Sequence, residues 1–318
     1  MGIATPPLNL NTSTMTHIFR YIGIETTTHC NSKCVICPRS TSYSYPFKVM
    51  DMNLFKKIIY DIRDNHQLKF FCNIGGMGDS SCDPLLIERL RFVKKEAPGL
   101  KFGLSSNMAA WKKSYTDIVI NEKLASQLRF SLLAHTETGS EKIYGDKKQS
   151  LQACNAIDYF IHRNENAGHP INLELYTLAI DGVEPDIEII KDLYWDKVDG
   201  FEVWKPHAWS NLFPHLRGRT KASQPCKSID GFEHPLIGIN GDVIPCSMDI
   251  NYTLSLGSLK EKTLQQILAS ENLKRLQKLN SDGNIQTLST CKGCVYLNIE
   301  DSETLLESKV NTTRILRQ

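Results

Sequence analysis

The chain has 318 residues, 41% of them hydrophobic, and its 37 basic and 35 acidic side chains leave a net charge of +2. That suits one large domain with a small companion, and the absence of any Lys/Arg block interleaved with aromatics gives no footing for nucleic acid. No apolar run approaches the roughly 20 residues that span a bilayer, and no charged-then-apolar leader precedes a cleavage site, so a cytoplasmic protein with no membrane partner is expected.

In chain order, residues 1–17 are rich in Thr, Asn and Pro without periodicity and read as a flexible arm. Residues 18–26 form a first strand. Asp51–Ile62 is expected to be a helix with Leu54, Phe55, Ile58, Ile59 and Ile62 on one face. Strand-then-helix units follow: strand 68–74, a helix opened by Asp83-Pro84 and closed by Pro98-Gly99, strand 101–105, helix 115–125, strand 128–133, helix 151–163, strand 171–178, helix 185–194 and strand 200–203. Six strands alternating with helices imply a parallel sheet with right-handed crossovers, in α/β-barrel grammar but short of eight units. The expected division is a barrel over 18–204, a connecting loop over 205–225, a small domain over 226–300 and a tail over 301–318. In the small domain Asn240-Gly241 between short apolar runs signals a hairpin, and Thr263 with Gln266 reads as a capping box for a helix over 264–279.

Ten cysteines in a cytosolic chain suggest metal ligands rather than disulfides. Cys30, Cys34 and Cys37 are spaced CxxxCxxC just past the first strand. A 4Fe-4S cluster takes four ligands, so three protein thiolates leave one iron open to something that is not protein. This triad, with Asn31 and Pro38, resembles the signature of the radical S-adenosylmethionine (SAM) superfamily. The resemblance implies an open six-stranded partial TIM barrel with its chemistry at the C-terminal strand ends. It also implies SAM on the open iron, a 5'-deoxyadenosyl radical as oxidant and a flavodoxin- or ferredoxin-type electron donor as partner. Ile36 departs from the aromatic residue that many members carry before the third cysteine.

Cys226, Cys246, Cys291 and Cys294 form a second group, which on spacing alone suits either zinc or an iron-sulfur cluster. With Gly241 five residues before Cys246 and the final CxxC, it resembles the SPASM/twitch extension of radical SAM enzymes. No cysteine follows Cys294, so the resemblance implies the twitch version, with one auxiliary 4Fe-4S cluster closed by four protein ligands. The nearest family pattern is that of the 2-deoxy-scyllo-inosamine dehydrogenases, with the aminoglycoside epimerases beside it. Cys72, Cys82 and Cys154 remain over.

Gly75, Gly76, Gly78 and Asp79, at the end of the second strand, resemble the family's glycine motif for the SAM amino group. Ser80-Ser81-Cys82 replaces the residues that usually follow. Ser105 and Asn107 resemble the segment that ends the third strand, and Ser131 resembles a SAM-contacting serine. Arg163 is a candidate partner for the methionine carboxylate, with a solvated helix-end arginine as the plain alternative.

Three reactions fit these parts. Dehydrogenation of an alcohol in a polar, sugar- or aminocyclitol-like small molecule uses all of them, with the auxiliary cluster as electron acceptor. It also needs a base, for which His207, His215, Arg217 and Arg219 are candidates and His207 is preferred. Epimerisation would use Cys82 as hydrogen donor. Modification of a ribosomal peptide commonly goes with a leader-binding domain, and only 29 residues precede Cys30. An iron-sulfur electron carrier without catalysis is the non-enzymatic alternative.

Overall fold

The structure is a computed structural model that describes residues 21–43, 46–65, 71–210, 212–213, 215–216, 221–232, 235–298 and 305–310. The expected arm at 1–17 and the candidate bases Arg217 and Arg219 lie outside those residues.

Six parallel strands form the body of one sheet: β1 (Tyr21–Ile24), β2 (Phe71–Ile74), β3 (Lys101–Ser106), β4 (Gln127–Ser131), β5 (Asn172–Leu178) and β6 (Gly200–Trp204). The sheet is open rather than closed. Beyond β1 lie β7 (Leu236–Ile237), parallel to it, and β8 (Val243–Ile244), and beyond β6 lies the antiparallel β9 (Leu305–Val310). The hairpin of the small domain therefore extends the barrel sheet, and part of the expected tail caps its other edge. Lys191–Glu307 and Lys309–Asp196 ion pairs tie β9 down.

The helices are α1 (Met52–Asp64), α2 (Leu86–Glu96), α3 (Lys113–Asn121), α4 (Glu137–Tyr144), α5 (Gln149–Asn166), α6 (Glu184–Tyr194), α7 (Lys227–Gly231), α8 (Leu264–Leu268) and α9 (Glu271–Ser281). In α1 the expected residues Leu54, Phe55, Ile58, Ile59 and Ile62 are the buried ones, and the Asp51 side chain accepts from the backbone N–H groups of Asn53 and Leu54. The short, polar α4 escaped its own periodicity. It is defined by ends, a Thr136 N-cap and Gly145 at φ 72°. The helix expected over 264–279 is two helices, because Ser270 caps a new start while the Thr263–Gln266 capping box forms as read.

Strand alternation decides what faces the site. Leu128, Phe130, Leu173, Leu175, Phe201 and Val203 pack into the main core with Phe160 and Ile190 from the helices. The alternate residues Arg129, Ser131, Glu174, Tyr176, Glu202 and Trp204 therefore occupy the opposite face of the sheet.

Candidate active site and cluster-binding cysteines

The triad loop is held at its root and its tip. Thr27 bridges Val49, the Thr28 hydroxyl accepts from the Lys48 N–H at 2.7 Å, and the Met50 N–H reaches the Thr26 carbonyl at 2.8 Å. Further out, the Val35 N–H donates to the Ile143 carbonyl at 2.9 Å, and Arg39 Nη2 donates to the Ser32 carbonyl at 2.6 Å. Gln149 also hydrogen-bonds the Ser32 hydroxyl. Ile36 is buried among Leu133, Ala134, Tyr144, Leu178 and Val183, in a small apolar cluster at the strand ends.

Burial, with the charge of Asp79 beside it, pushes the Cys30 thiol up to about 12. The Cys34 thiol is raised by burial and then by Cys37 and Cys30, and Cys37 is raised by burial. Three sulfurs thus share a desolvated space in which the Arg39 guanidinium lowers each thiol without offsetting the burial. An iron centre would supply further positive charge, so the donor set fits the cluster it implies.

The loop after β2 lies directly against this one. The Asp79 N–H donates to the His29 carbonyl at 2.9 Å, and a Cβ on Gly78 would run into the carbonyl oxygens of Thr27 and His29, the latter at 2.7 Å. Close backbone approach, not an unusual φ, is what requires glycine there. Asp79 is already engaged: its carboxylate accepts from the Ser81 N–H (2.9 Å), the Ser81 hydroxyl (2.5 Å), the Ser106 hydroxyl (2.9 Å) and the Asn107 N–H (2.7 Å). It clamps the ends of β2 and β3 together.

Asn107 Nδ2 in turn reaches Asn31 Oδ1 at 3.0 Å, Ser32 Oγ at 3.2 Å and Cys30 Sγ at 3.8 Å. Ser105 Oγ accepts from Asn73 Nδ2 at 2.9 Å, and Ser105 borders Gly75. Ser131 hydrogen-bonds Tyr176. Cys82 also belongs here, its Sγ 3.8 Å from Asn31 Oδ1 and its thiol raised by burial and by Asp79.

Arg163 does not join this group. It sits on α5 and pairs at 2.8 Å with Asp117 of α3, beside Tyr159. Both partners belong to the helical layer, and the structure does not bring Arg163 together with the strand-end residues. Arg129, on the strand face opposite the main core, pairs with Glu202 and lies 4.7 Å over the Tyr176 ring. Its Nε is buried without a hydrogen-bond partner, Trp204 Nε1 donates to Glu202 at 2.9 Å, and burial raises the carboxyl of Glu174. Strand periodicity could have marked these residues as one face; nothing in the sequence distinguished them from an ordinary solvated face.

In the small domain, Cys226 caps α7. Asn280, wholly buried, accepts from its N–H at 2.8 Å and donates to its carbonyl at 3.0 Å and to Asp230 at 2.6 Å. Cys246 follows β8, and Cys291 and Cys294 flank a turn closed by the Cys294 N–H to the Cys291 carbonyl at 3.1 Å. Burial raises the Cys246 thiol, and Cys226, Cys294 and Cys291 raise it further. Burial followed by Cys226 and Cys294 takes Cys291 to about 12. All four sulfurs therefore feel one another.

Four thiolates can close on a single zinc ion or on the iron corners of a cubane.

One segment touches both groups. His207 Nδ1 is 2.6 Å from the Tyr296 hydroxyl, two residues past Cys294. Trp209 Nε1 donates to the Ile36 carbonyl, next to Cys37, at 2.7 Å, and Ser210 Oγ donates to the Met248 carbonyl, two residues past Cys246, at 3.2 Å. Trp209 and Ser210 hold left-handed φ of 49° and 52°, an uncommon backbone state for non-glycine residues. His215 stacks edge-on to Phe213 at 5.3 Å. Tyr296 and Asn280 were not singled out from the sequence.

Triad, quartet and open parallel sheet together have the fold of the AdoMet-bound solved structures to which the chain is similar, with the quartet in its C-terminal part. Residues 226–295 match the SPASM family, described as an iron-sulfur cluster-binding domain. The chain is similar in structure to BtrN in complex with AdoMet and 2-DOIA (TM-score 0.61, 14% identity, covering 92% of this chain and 100% of that one). It is similar also to Streptococcus suis SuiB bound to S-adenosylmethionine (0.61, 15%, 89% and 74%) and to anSMEcpe with bound AdoMet (0.60, 11%, 94% and 91%). No curated protein matches it by sequence. Among the described residues no helix is long and apolar enough to cross a membrane.

Proposed function

We propose that this chain is a cytoplasmic radical SAM enzyme that oxidises a secondary alcohol of a polar small molecule, of the sugar or aminocyclitol kind, to a ketone: the C–H hydrogen leaves as an atom, the hydroxyl hydrogen as a proton, and one electron passes to the auxiliary cluster. Cys30, Cys34 and Cys37 would hold the first 4Fe-4S cluster, and Cys226, Cys246, Cys291 and Cys294 the auxiliary one. When bound, the first cluster and SAM supply a hydrogen-abstracting radical, and the auxiliary cluster supplies an electron sink. Gly75, Gly76, Gly78, Ser105, Asn107 and Ser131 line the SAM side. Electrons for the first cluster come from a flavodoxin- or ferredoxin-type donor.

The observation that carries this reading is the 207–210 segment, hydrogen-bonded at once to the triad loop through Ile36 and to the quartet through Met248 and Tyr296. His207 lies on this segment, and we assign it as the base for the substrate hydroxyl. His207 takes that proton on Nε2, which requires Nδ1–H to donate to the Tyr296 oxygen. The polar strand face of Arg129, Glu174, Tyr176, Glu202 and Trp204 supports a hydrophilic substrate.

A second reading rests on Cys82, whose sulfur lies 3.8 Å from Asn31 in the triad loop. From there a thiol can return a hydrogen atom, giving epimerisation.

Incubation of anaerobically reconstituted protein with SAM, reductant and a panel of sugars and aminocyclitols in deuterium oxide separates the two. The expected product is two mass units lighter than substrate. A product that carries one solvent deuterium with no gain of unsaturation would replace the dehydrogenase with the epimerase. The reconstituted chain should hold about eight irons and its Cys30/Cys34/Cys37→Ala variant about four; a full load in the variant removes the triad assignment.

A further inference from the structure

Glu25 lies one residue past β1 and is 0% exposed. Four donors from three parts of the chain meet its carboxyl group. The Met77 N–H, inside the glycine loop after β2, donates to Oε1 at 2.7 Å. Oε2 accepts from the Ile239 N–H in the hairpin turn at 3.2 Å, from the Tyr252 hydroxyl, and from Tyr43 at 3.5 Å. Tyr252 and Ile239 belong to the small domain, more than 200 residues away in sequence.

Both ends of this connection rest on glycine. A Cβ at Gly76 would lie 2.7 Å from Glu25 Oε1 and 2.8 Å from its Cγ, and a Cβ at Gly238 would lie 2.6 Å from the Tyr252 ring. Neither glycine has positive φ. The missing side chains are therefore accounted for by the close approach of Glu25 and Tyr252, not by backbone conformation.

We infer that Glu25 is a positioning residue, a buried strut through which Tyr252 and Ile239 of the auxiliary-cluster domain hold the Gly75–Asp79 loop in the shape that receives SAM. The physical reason is the isolation of the carboxyl. A buried acceptor with several donors cannot move without leaving one of them unpaired. Displacement of the hairpin is thus passed to Met77, and with it to Gly76 and Gly78. The inference rests on the proposed function only in assigning SAM to that loop.

The test compares Glu25→Gln and Tyr252→Phe with Thr263→Ala, which removes a helix cap in the same small domain and leaves the strut intact. Hydrogen exchange on the protein before SAM is added should speed up about threefold or more at residues 75–79 in Tyr252→Phe, the scale of one lost hydrogen bond. Glu25→Gln should speed it about tenfold or more, and Thr263→Ala should not change it. SAM affinity of the reconstituted variants should weaken by the same factors. Exchange at 75–79 equal to wild type in both strut variants overturns the inference, as does a Thr263→Ala effect of equal size. Wild-type protein that binds no SAM overturns the proposed function and removes SAM from the inference, while exchange still decides the strut. Should Glu25→Gln fail to fold, Tyr252→Phe, which keeps the ring, decides alone.

Discussion

Replacing Arg89 with Met removes one half of an ion pair whose two side chains are both 0% exposed. Arg89 Nε meets Asp83 Oδ2 at 2.8 Å. Asp83 begins the chain's exit from the glycine loop, where its other oxygen accepts from the Leu85 N–H at 2.9 Å, and Arg89 also donates to the Met50 carbonyl at the root of the triad loop. The guanidinium sits 4.9 Å over the Phe55 ring, so methionine keeps most of the apolar packing while the charge is lost. Breaking a buried pair from one side leaves an uncompensated carboxylate and costs about 3–5 kcal/mol. The orphaned Met50 carbonyl argues for the upper part of that range.

Pairing Arg89→Met with Asp83→Asn removes the stranded charge while the amide oxygen still accepts from Leu85. The double variant should recover about half of the loss or more. Urea unfolding followed by far-UV circular dichroism, at matched iron loading, measures both. A single variant within about 1 kcal/mol of wild type, below the range for a broken buried pair, would refute the reasoning. So would a double variant as unstable as the single one.

Asn280→Ala should release Cys226 by deleting three partly buried hydrogen bonds, at about 0.5–1.5 kcal/mol each. Iron analysis should then show the auxiliary share lost and the triad share kept. Gly78→Ala should abolish the effect of SAM on the electron paramagnetic resonance signal of the first cluster, because the new Cβ displaces the His29 carbonyl; a normal response would place the loop elsewhere. Burial raises the Glu25 carboxyl despite hydrogen bonds from Tyr252, Met77, Ile239 and Tyr43. The fold therefore holds this proton more tightly than the unfolded chain. The contribution of Glu25 to stability is full below the ordinary Glu value of about 4.3 and is lost as pH rises through the folded value. Stability of wild type against pH should show that decline, and Glu25→Gln should flatten it. His207→Gln should cut product formation about 100-fold or more while 5'-deoxyadenosine still forms, the usual scale for removing a general base.

Local sequence determined the repeating units and the ligand inventory. Apolar spacing in α1, the capping box at Thr263 and the hairpin at Asn240-Gly241 depend on neighbours within a few residues. The same holds for CxxxCxxC and CxxC, whose spacing alone brings thiols together. Tertiary structure decided what those units share. Arg163 and Arg129 are each a lone basic residue in a periodic element, and only packing put the first against Asp117 on the helical layer and the second beside Glu202 on the strand face. Strand β9 could not be read from its own residues because its role, covering the free edge of β6, exists only once the sheet is assembled. The same holds for Glu25. Its meaning lies in Met77, Ile239 and Tyr252, which no local pattern joins, and a buried carboxyl acquires its partners only when distant backbone arrives to desolvate it.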